Sequence, residues 1–138
     1  MANWTGVSRT NYFKVTDEDR YQELFKGLTC EDDSIEDFSY HTKQDNVLHG
    51  FGSYGSIDYL DPETDEYDFQ KFVHELTQIL TDDSVFVFTC IGHEKLRYLT
   101  GICLVAYPDG TTKSFDLDDL AYTAAHEYNP DVYWQNTY

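Results

Sequence analysis

The sequence is poor in basic residues, cysteine and proline, and it contains no long apolar run. Only 9 Lys and Arg stand against 26 Asp and Glu in 138 residues, together with 3 Cys and 3 Pro. Cys30, Cys90 and Cys103 are far apart in sequence, which favours reduced thiols over a disulfide framework or a metal site. No stretch approaches the roughly 20 apolar residues of a membrane-spanning helix, and the N-terminus lacks the apolar core of a secretory signal. We therefore expect a cytoplasmic protein with no membrane partner.

The shortage of bases also argues against direct binding of nucleic acid, because proteins of that class neutralise phosphates with a basic stripe or patch. The formal net charge is −17, far outside the magnitude of about 2–8 that suits a small soluble domain. Carboxylates at this density repel one another and reduce folding stability. Solubility or a high-salt host would explain such a surface, but we interpret it as functional.

The apolar composition predicts a folded chain. Hydrophobic residues make up 41% of the sequence, with 9 Phe, 12 Tyr and 2 Trp, whereas disordered chains with this much charge lack aromatic residues. The length suits one domain over residues 1–138. We expect residues 1–8 to form a loose N-terminal tail and residues 130–138 to form an aromatic C-terminal tail.

Hydrophobic periodicity predicts the order β-α-β-β-β-α-β-β-β-α. The fold class is therefore α+β, a mainly antiparallel sheet of five to six strands with about three helices packed on one face. The apolar run 85–91 is expected to be a central strand buried on both sides. The first predicted helix begins after Thr16 and ends at Gly27, and the other two span 69–80 and 116–128. The predicted strands span 11–15, 35–41, 47–51, 53–60, 85–91, 96–107 (with a bulge at Gly101) and 111–115. Pro108-Asp109-Gly110 is expected to be a hairpin turn.

Three motifs imitate functional sites without completing them. The run 50–55 matches G-x-G-x-x-G, but a strand-like stretch follows where a dinucleotide site needs a helix. The acidic run that starts at Asp61 lacks the Gly and Glu that close a calcium loop. The three His-Glu pairs, at His74, His93 and His126, do not extend to H-E-x-x-H. The sequence therefore predicts no catalytic residue, no metal site and no cofactor, although a catalytic triad assembled in space stays possible.

The acidic residues are clustered, and we interpret three clusters as a partner-binding surface. Each cluster taken alone is also typical of a solvated turn or helix start, as is a fourth at 17–19. The expected partner-binding residues are Glu31, Asp32, Asp33, Glu36 and Asp37; Asp58, Asp61, Glu63, Asp65, Glu66 and Asp68; and Asp116, Asp118 and Asp119.

The number of carboxylates matches a length of duplex DNA. Duplex DNA carries one charge per about 1.7 Å of axis, so 26 carboxylates correspond to about 44 Å of duplex. A folded protein with this charge can occupy a groove lined by Lys and Arg, with salt-sensitive attraction. The expected partner is therefore a basic nucleic-acid-binding protein.

The stretches 8–18 (SRTNYFKVTDE), 49–54 (HGFGSY) and 94–101 (EKLRYLTG) resemble small acidic accessory proteins of Firmicute mobile genetic elements. In general character the chain is similar to DNA-mimic antirestriction and anti-CRISPR proteins. The resemblance implies a non-enzymatic inhibitor of a host defence nuclease, such as Cas9 or a restriction enzyme, in a bacterial cytoplasm. It assigns no binding residue position by position.

Two other functions stay open at the level of sequence. One is an immunity-type protein that neutralises a basic nuclease toxin, which predicts one compact acidic patch and one cognate partner. The other is a small enzyme with no recognisable motif. The oligomeric state is open as well, and a dimer is among the options.

Overall fold

A computed structural model describes residues 4–31, 33–96 and 98–131. The helices are α1 (Glu18–Lys26), α2 (Phe69–Thr77) and α3 (Leu117–Tyr128). The strands are β1 (Thr5–Thr10), β2 (Leu28–Cys30), β3 (Glu36–Asp37), β4 (Tyr40–His41), β5 (Val47–Leu48), β6 (Phe51–Ser53), β7 (Ile57–Tyr59), β8 (Phe86–Glu94), β9 (Tyr98–Ala106) and β10 (Thr112–Asp116).

Six strands form one sheet in the order β10-β9-β8-β1-β6-β3, and each pairing within it is antiparallel. Strands β2 and β7 pair separately, as do β4 and β5. The predicted fold class, an α+β chain with a mainly antiparallel sheet and three helices, is confirmed. The turn at Gly110 is confirmed too: this residue has φ +90° and donates its N–H to the carbonyl of Tyr107 at 2.9 Å.

The prediction of a loose tail over residues 1–8 is wrong for its described part beyond Trp4, because Thr5–Thr10 forms β1 between β8 and β6. This strand is hard to recognise because its buried residues are polar. The Ser8 hydroxyl donates to the carbonyl of Gly55 at 2.7 Å, and the Thr10 hydroxyl accepts from the N–H of Phe51 at 3.0 Å. These bonds satisfy polar groups that would otherwise be costly to bury.

Several predicted strands are shorter or displaced. Residues 11–15 form only two isolated bridges, from Phe13 to His49 and from Val15 to Leu80. The predicted strand 53–60 is divided between β6 and β7, and the strand 35–41 between β3 and β4. Hydrophobic alternation identified these segments as extended, but hydrogen-bond partners decided where each strand begins and ends.

Strand β8 is not buried on both sides, contrary to the prediction from its apolar run. Its side chains alternate: Phe86, Phe88 and Cys90 are buried, whereas Val87 is half-buried and Ile91 is exposed. The inner side of the sheet, to which the buried set points, faces α1 and α2. The other side is called the outer face below.

The inner side carries an aromatic core. Phe86 makes edge-to-face contacts with Phe13 and Phe72, at ring separations of 5.4 and 6.1 Å, and a tilted contact with Phe51 at 6.1 Å. Buried side chains of α1 and α2 complete this core. Each of these helices starts at an Asp whose side chain accepts from the backbone three residues on, Asp17 for α1 and Asp68 for α2, as expected of an N-cap.

The third helix is placed differently. None of its residues is buried, and its first residue, Leu117, lies against Gly101 on the outer face, where a Cβ at position 101 would collide with it. The expectation that all helices pack on one face is therefore wrong for α3. Gly101 pairs with Ile91 in unbroken register, so the predicted bulge at this glycine is also wrong. The lack of a side chain at Gly101 instead leaves space for the side chain of Leu117.

Candidate functional site

A buried histidine links three parts of the chain that the sequence did not connect. His49 is 2% exposed; its Nε2 lies 2.7 Å from Oε2 of Glu18 in α1, and its Nδ1 lies 2.9 Å from Oγ of Ser39. Its ring also lies 4.1 Å from the ring of Tyr21, centroid to centroid. Sequence reasoning missed this network because its members are far apart in the chain and carry no spacing signal.

The Ser39–His49–Glu18 arrangement has the composition of a hydrolytic triad but not its geometry. In Ser-His-Asp enzymes the serine bonds Nε2 and the carboxylate bonds Nδ1; here the two nitrogens are exchanged. The network instead satisfies a buried imidazole and ties α1 to the segment before β6.

Two of the predicted acidic clusters meet at a cleft of about 560 Å³. Glu31, from the first cluster, and Asp58, from the second, line this cleft together with Cys30 and Tyr67. The antiparallel pairing of β2 with β7 brings them together, because Cys30 lies opposite Ile57. Tyr67 is exposed, so the cleft combines carboxylates with an accessible aromatic ring.

The third cluster lies at a second cleft, of about 310 Å³. Asp116 and Asp119 line it opposite Phe69 and Gln70, the first two residues of α2. Asp68, from the second cluster, directly precedes them. The two clefts therefore flank the segment 67–70, and each of the three clusters contributes at least one lining residue. Glu36 and Asp37 of the first cluster lie apart from the clefts, on the sheet edge opposite β10.

Asp61 is the predicted site residue least suited to binding a partner, because it is only 3% exposed. Its Oδ2 accepts from Nζ of Lys71 at 2.8 Å and from the Thr64 hydroxyl, and its Oδ1 accepts from the N–H of Glu63. The Lys71 hydrogen bond, more than any other contact, holds the pKa of Asp61 below its usual value, and the same pair raises the pKa of Lys71. We conclude that Asp61 organises the loop from inside.

Two more predicted residues have structural roles as helix caps. The side chain of Asp68 accepts from the N–H of Lys71 at 3.2 Å, and that of Asp116 accepts from the N–H of Asp118 at 2.9 Å. A cap aspartate can still present one oxygen to a partner. These two residues therefore contribute charge to the clefts while also starting α2 and α3.

The remaining predicted residues are placed mainly at the surface. Glu36 and Asp37 form the edge strand β3, Asp118 is half-buried in the first turn of α3, and Asp32 lies outside the described residues. The predicted residues that are exposed are Glu31, Asp33, Glu36, Asp37, Glu63, Asp65, Glu66, Asp68 and Asp119.

Within the described residues, ion pairs to Lys and Arg involve few of the carboxylates and three of the eight basic side chains described there. These pairs are Lys14 with Asp83, Arg20 with Glu23 and Glu75, and Lys71 with Asp61 and Glu63. The side chain of Glu63 is 80% exposed, so solvent screens that pair strongly. The surface around the two clefts therefore remains negative.

The glycine run 50–55 spans β6 and the bend before β7, and no helix opens after it. Strand β7 follows it, as predicted, where a dinucleotide site would begin a helix. Within the described ranges, no group of three or more His, Cys, Asp and Glu side chains is arranged to hold a metal ion. Nor does any helix there have the length and apolarity needed to cross a membrane.

The chain matches no family model, no curated protein and no solved structure.

Proposed function

We propose that this protein inhibits a nucleic-acid-targeting nuclease of a bacterial defence system, as an anti-CRISPR or antirestriction protein. It would do so by occupying the enzyme's basic DNA groove with its acidic clusters. The observation that carries the proposal is that members of three acidic clusters, separated in sequence, line two clefts on either side of the segment 67–70: Glu31, Asp58, Asp116 and Asp119. Carboxylates beside exposed aromatic rings provide charge complementary to such a groove and side chains that can pack against it.

The negative charge would increase the rate of association and act at long range, whereas the aromatic side chains would supply contact area. Phosphate-like charge speeds encounter with a basic groove, and the attraction falls as salt screens it. Tyr67, exposed beside the carboxylates of Glu31 and Asp58, is the side chain best placed to pack against the groove wall. The non-enzymatic mechanism needs no cofactor.

The test is affinity capture from a bacterial lysate at low and at high salt, followed by DNA cleavage with the captured nuclease. We expect the nuclease to be retained at low salt, released at high salt and unable to bind DNA while held. A captured protein whose DNA binding is unaffected would contradict the mechanism. Capture of one small basic toxin in place of a defence nuclease would favour the immunity-type alternative.

Charge reversal locates the surface. The variant Glu31→Lys, Glu66→Lys and Asp119→Lys reverses three exposed acids at or beside the clefts while leaving Asp61 and the helix caps intact. The control variant makes the same change in net charge away from the clefts, as Asp19→Lys, Asp82→Lys and Glu127→Lys, which are also exposed. Loss of inhibition in the first variant alone supports the proposal. Equal loss in both would show that net charge, and not the clusters, is responsible.

A further inference from the structure

The outer face of the sheet differs from the rest of the surface because its four neighbouring strands β10, β9, β8 and β1 present no carboxylate there. The strand pairings identify the residues of these strands that point to the outer face, and none of them is buried. They are Thr5, Val7, Arg9, Val87, Thr89, Ile91, His93, Leu99, Gly101, Cys103, Val105, Lys113 and Phe115.

The centre of the outer face is apolar and open. Ile91 is 48% exposed and Leu99 is 54% exposed, and Leu117 of α3, lying against Gly101, is 63% exposed. These three side chains line a groove of about 1010 Å³. An exposed, contiguous apolar surface of this kind marks an interaction site more often than a solvated surface.

The basic side chains lie at the margins of the outer face. Arg9, on β1, lies 5.3 Å from the ring of Phe38, and Lys113, on the edge strand β10, lies 5.8 Å from the ring of Tyr107. The nearest carboxylate that the register places on this side is Glu36, on the opposite edge strand β3. An apolar centre with a polar rim is the usual organisation of a protein–protein interface.

We propose that the outer face is the interface of a homodimer, in which a second copy of this chain covers the groove. Charge is the first argument. Two molecules of net charge −17 repel each other in most orientations, and the four acid-free strands let their apolar surfaces meet without opposing carboxylates. A basic partner, such as the proposed nuclease groove, would gain no ion pairs from the outward-pointing side chains of these strands.

Size is the second argument. The four strands are five to nine residues long and lie about 4.8 Å apart, so they cover about 470 Å². A standard stable interface buries about 800 Å² on each partner. Leu117 of α3 and Leu96, which line the same groove, extend the apolar surface beyond the strands. The face therefore supplies more than half of the area that a standard interface buries on each partner. The dimer does not depend on the proposed inhibition.

The test is sedimentation equilibrium of the full chain over a wide range of concentration. We expect a dimer, and we expect Ile91→Lys and Leu99→Lys each to raise its dissociation constant by about tenfold or more. The control is Tyr40→Lys, an exposed aromatic position on the separate β4–β5 pair, which should leave the dissociation constant unchanged. Far-UV circular dichroism and urea unfolding check that each variant is folded.

Two further variants distinguish the other occupants of this face. Ile91→Asp should weaken the homodimer as Ile91→Lys does, because either charge would be buried in the interface; a dimer that neither substitution weakens would use another surface and overturn the proposal. A wild-type chain that is monomeric at every concentration overturns it as well. If only a chain truncated after Asp131 dimerises, the chain's own C-terminal segment is the occupant, and the second-copy proposal fails.

Discussion

The two sides of the six-stranded sheet are built from alternate residues of the same strands, yet they have opposite roles. On β8 and β9, Phe86, Phe88 and Leu104 are buried against the helical layer, whereas Ile91 and Leu99 are exposed. Both sets are apolar, so hydrophobicity alone does not distinguish them. They differ in what packs against them: α1 and α2 lie over the inner side, whereas among the helices only the start of α3 contacts the outer face.

The helices show the same contrast. In α2 the apolar residues Phe72, Val73 and Leu76 are buried, whereas α3 buries none of its residues although it also has leucine and tyrosine. The lesson is that an amphipathic pattern predicts a helix but not whether a partner covers its apolar side.

The largest effect is expected for Phe86→Ala on the inner side. This side chain is fully buried in the aromatic core, and truncation of such a residue costs about 3–5 kcal/mol. The matched change on the same strand, Ile91→Ala, should cost about 1 kcal/mol or less in the monomer, because half of the side chain is already exposed. Urea unfolding followed by circular dichroism measures both. Equal losses would show that the outer face is covered in solution.

A pH-dependent effect is expected next in size, for Asp61→Asn. The pKa of Asp61 is lowered mainly by Lys71. A carboxyl group with a lowered pKa in the folded state stabilises the protein above its unfolded pKa of about 3.9, and this contribution is lost as the pH falls through the folded pKa. The variant should therefore be less stable than the wild type at neutral pH, and the difference should shrink in acid.

Unfolding free energies measured from neutral pH down to the acid transition test this. The exposed control Glu66→Gln should lie close to the wild type throughout. If the free energy of unfolding of Asp61→Asn were lower than that of the wild type by the same amount at every pH, lost packing, and not the loss of the Lys71 pair, would destabilise the variant.

The two helix caps provide a smaller, paired comparison. Asp68→Ala should reduce global stability by about 1 kcal/mol, the usual value for an N-cap, because α2 is part of the core. Asp116→Ala removes the equivalent bond from α3, and its effect should be confined to that helix. Hydrogen exchange should show faster exchange across 117–128 with an unchanged unfolding midpoint. A similar global loss in both variants would mean that α3 unfolds together with the core.

The smallest effect is expected for Leu117→Ala. The side chain is largely exposed, so the free energy of unfolding of the monomer should change by no more than about 0.5 kcal/mol. Exchange in α3 should nevertheless increase, because Leu117 is the contact with Gly101. In Gly101→Ala the added methyl group would displace the Leu117 side chain, so exchange in α3 should increase in this variant too. Slow exchange in both variants would show that other contacts hold α3.

Much of the fold followed from sequence because helix caps and alternation are local signals. Gly27 ends α1 and α2 begins at Phe69, both as predicted, and the Gly110 turn joins β9 to β10. Strand β1 did not follow, since the buried Ser8 and Thr10 depend on distant partners. The candidate site divides in the same way: composition located the acids, but Asp61 became a buried anchor through its contact with Lys71 ten residues later.

The sequence by itself determined the class of the fold, the excess of carboxylates and the lack of a complete catalytic or metal motif, because composition and short spacings express these properties. Only the tertiary structure decided that Glu31 and Asp58 share a cleft, that His49 is bonded to Glu18 and Ser39, and that four strands present a face without acids. The physical reason is register. Whether a side chain points to the core or to solvent, and what it meets, depends on how each strand pairs with its neighbours.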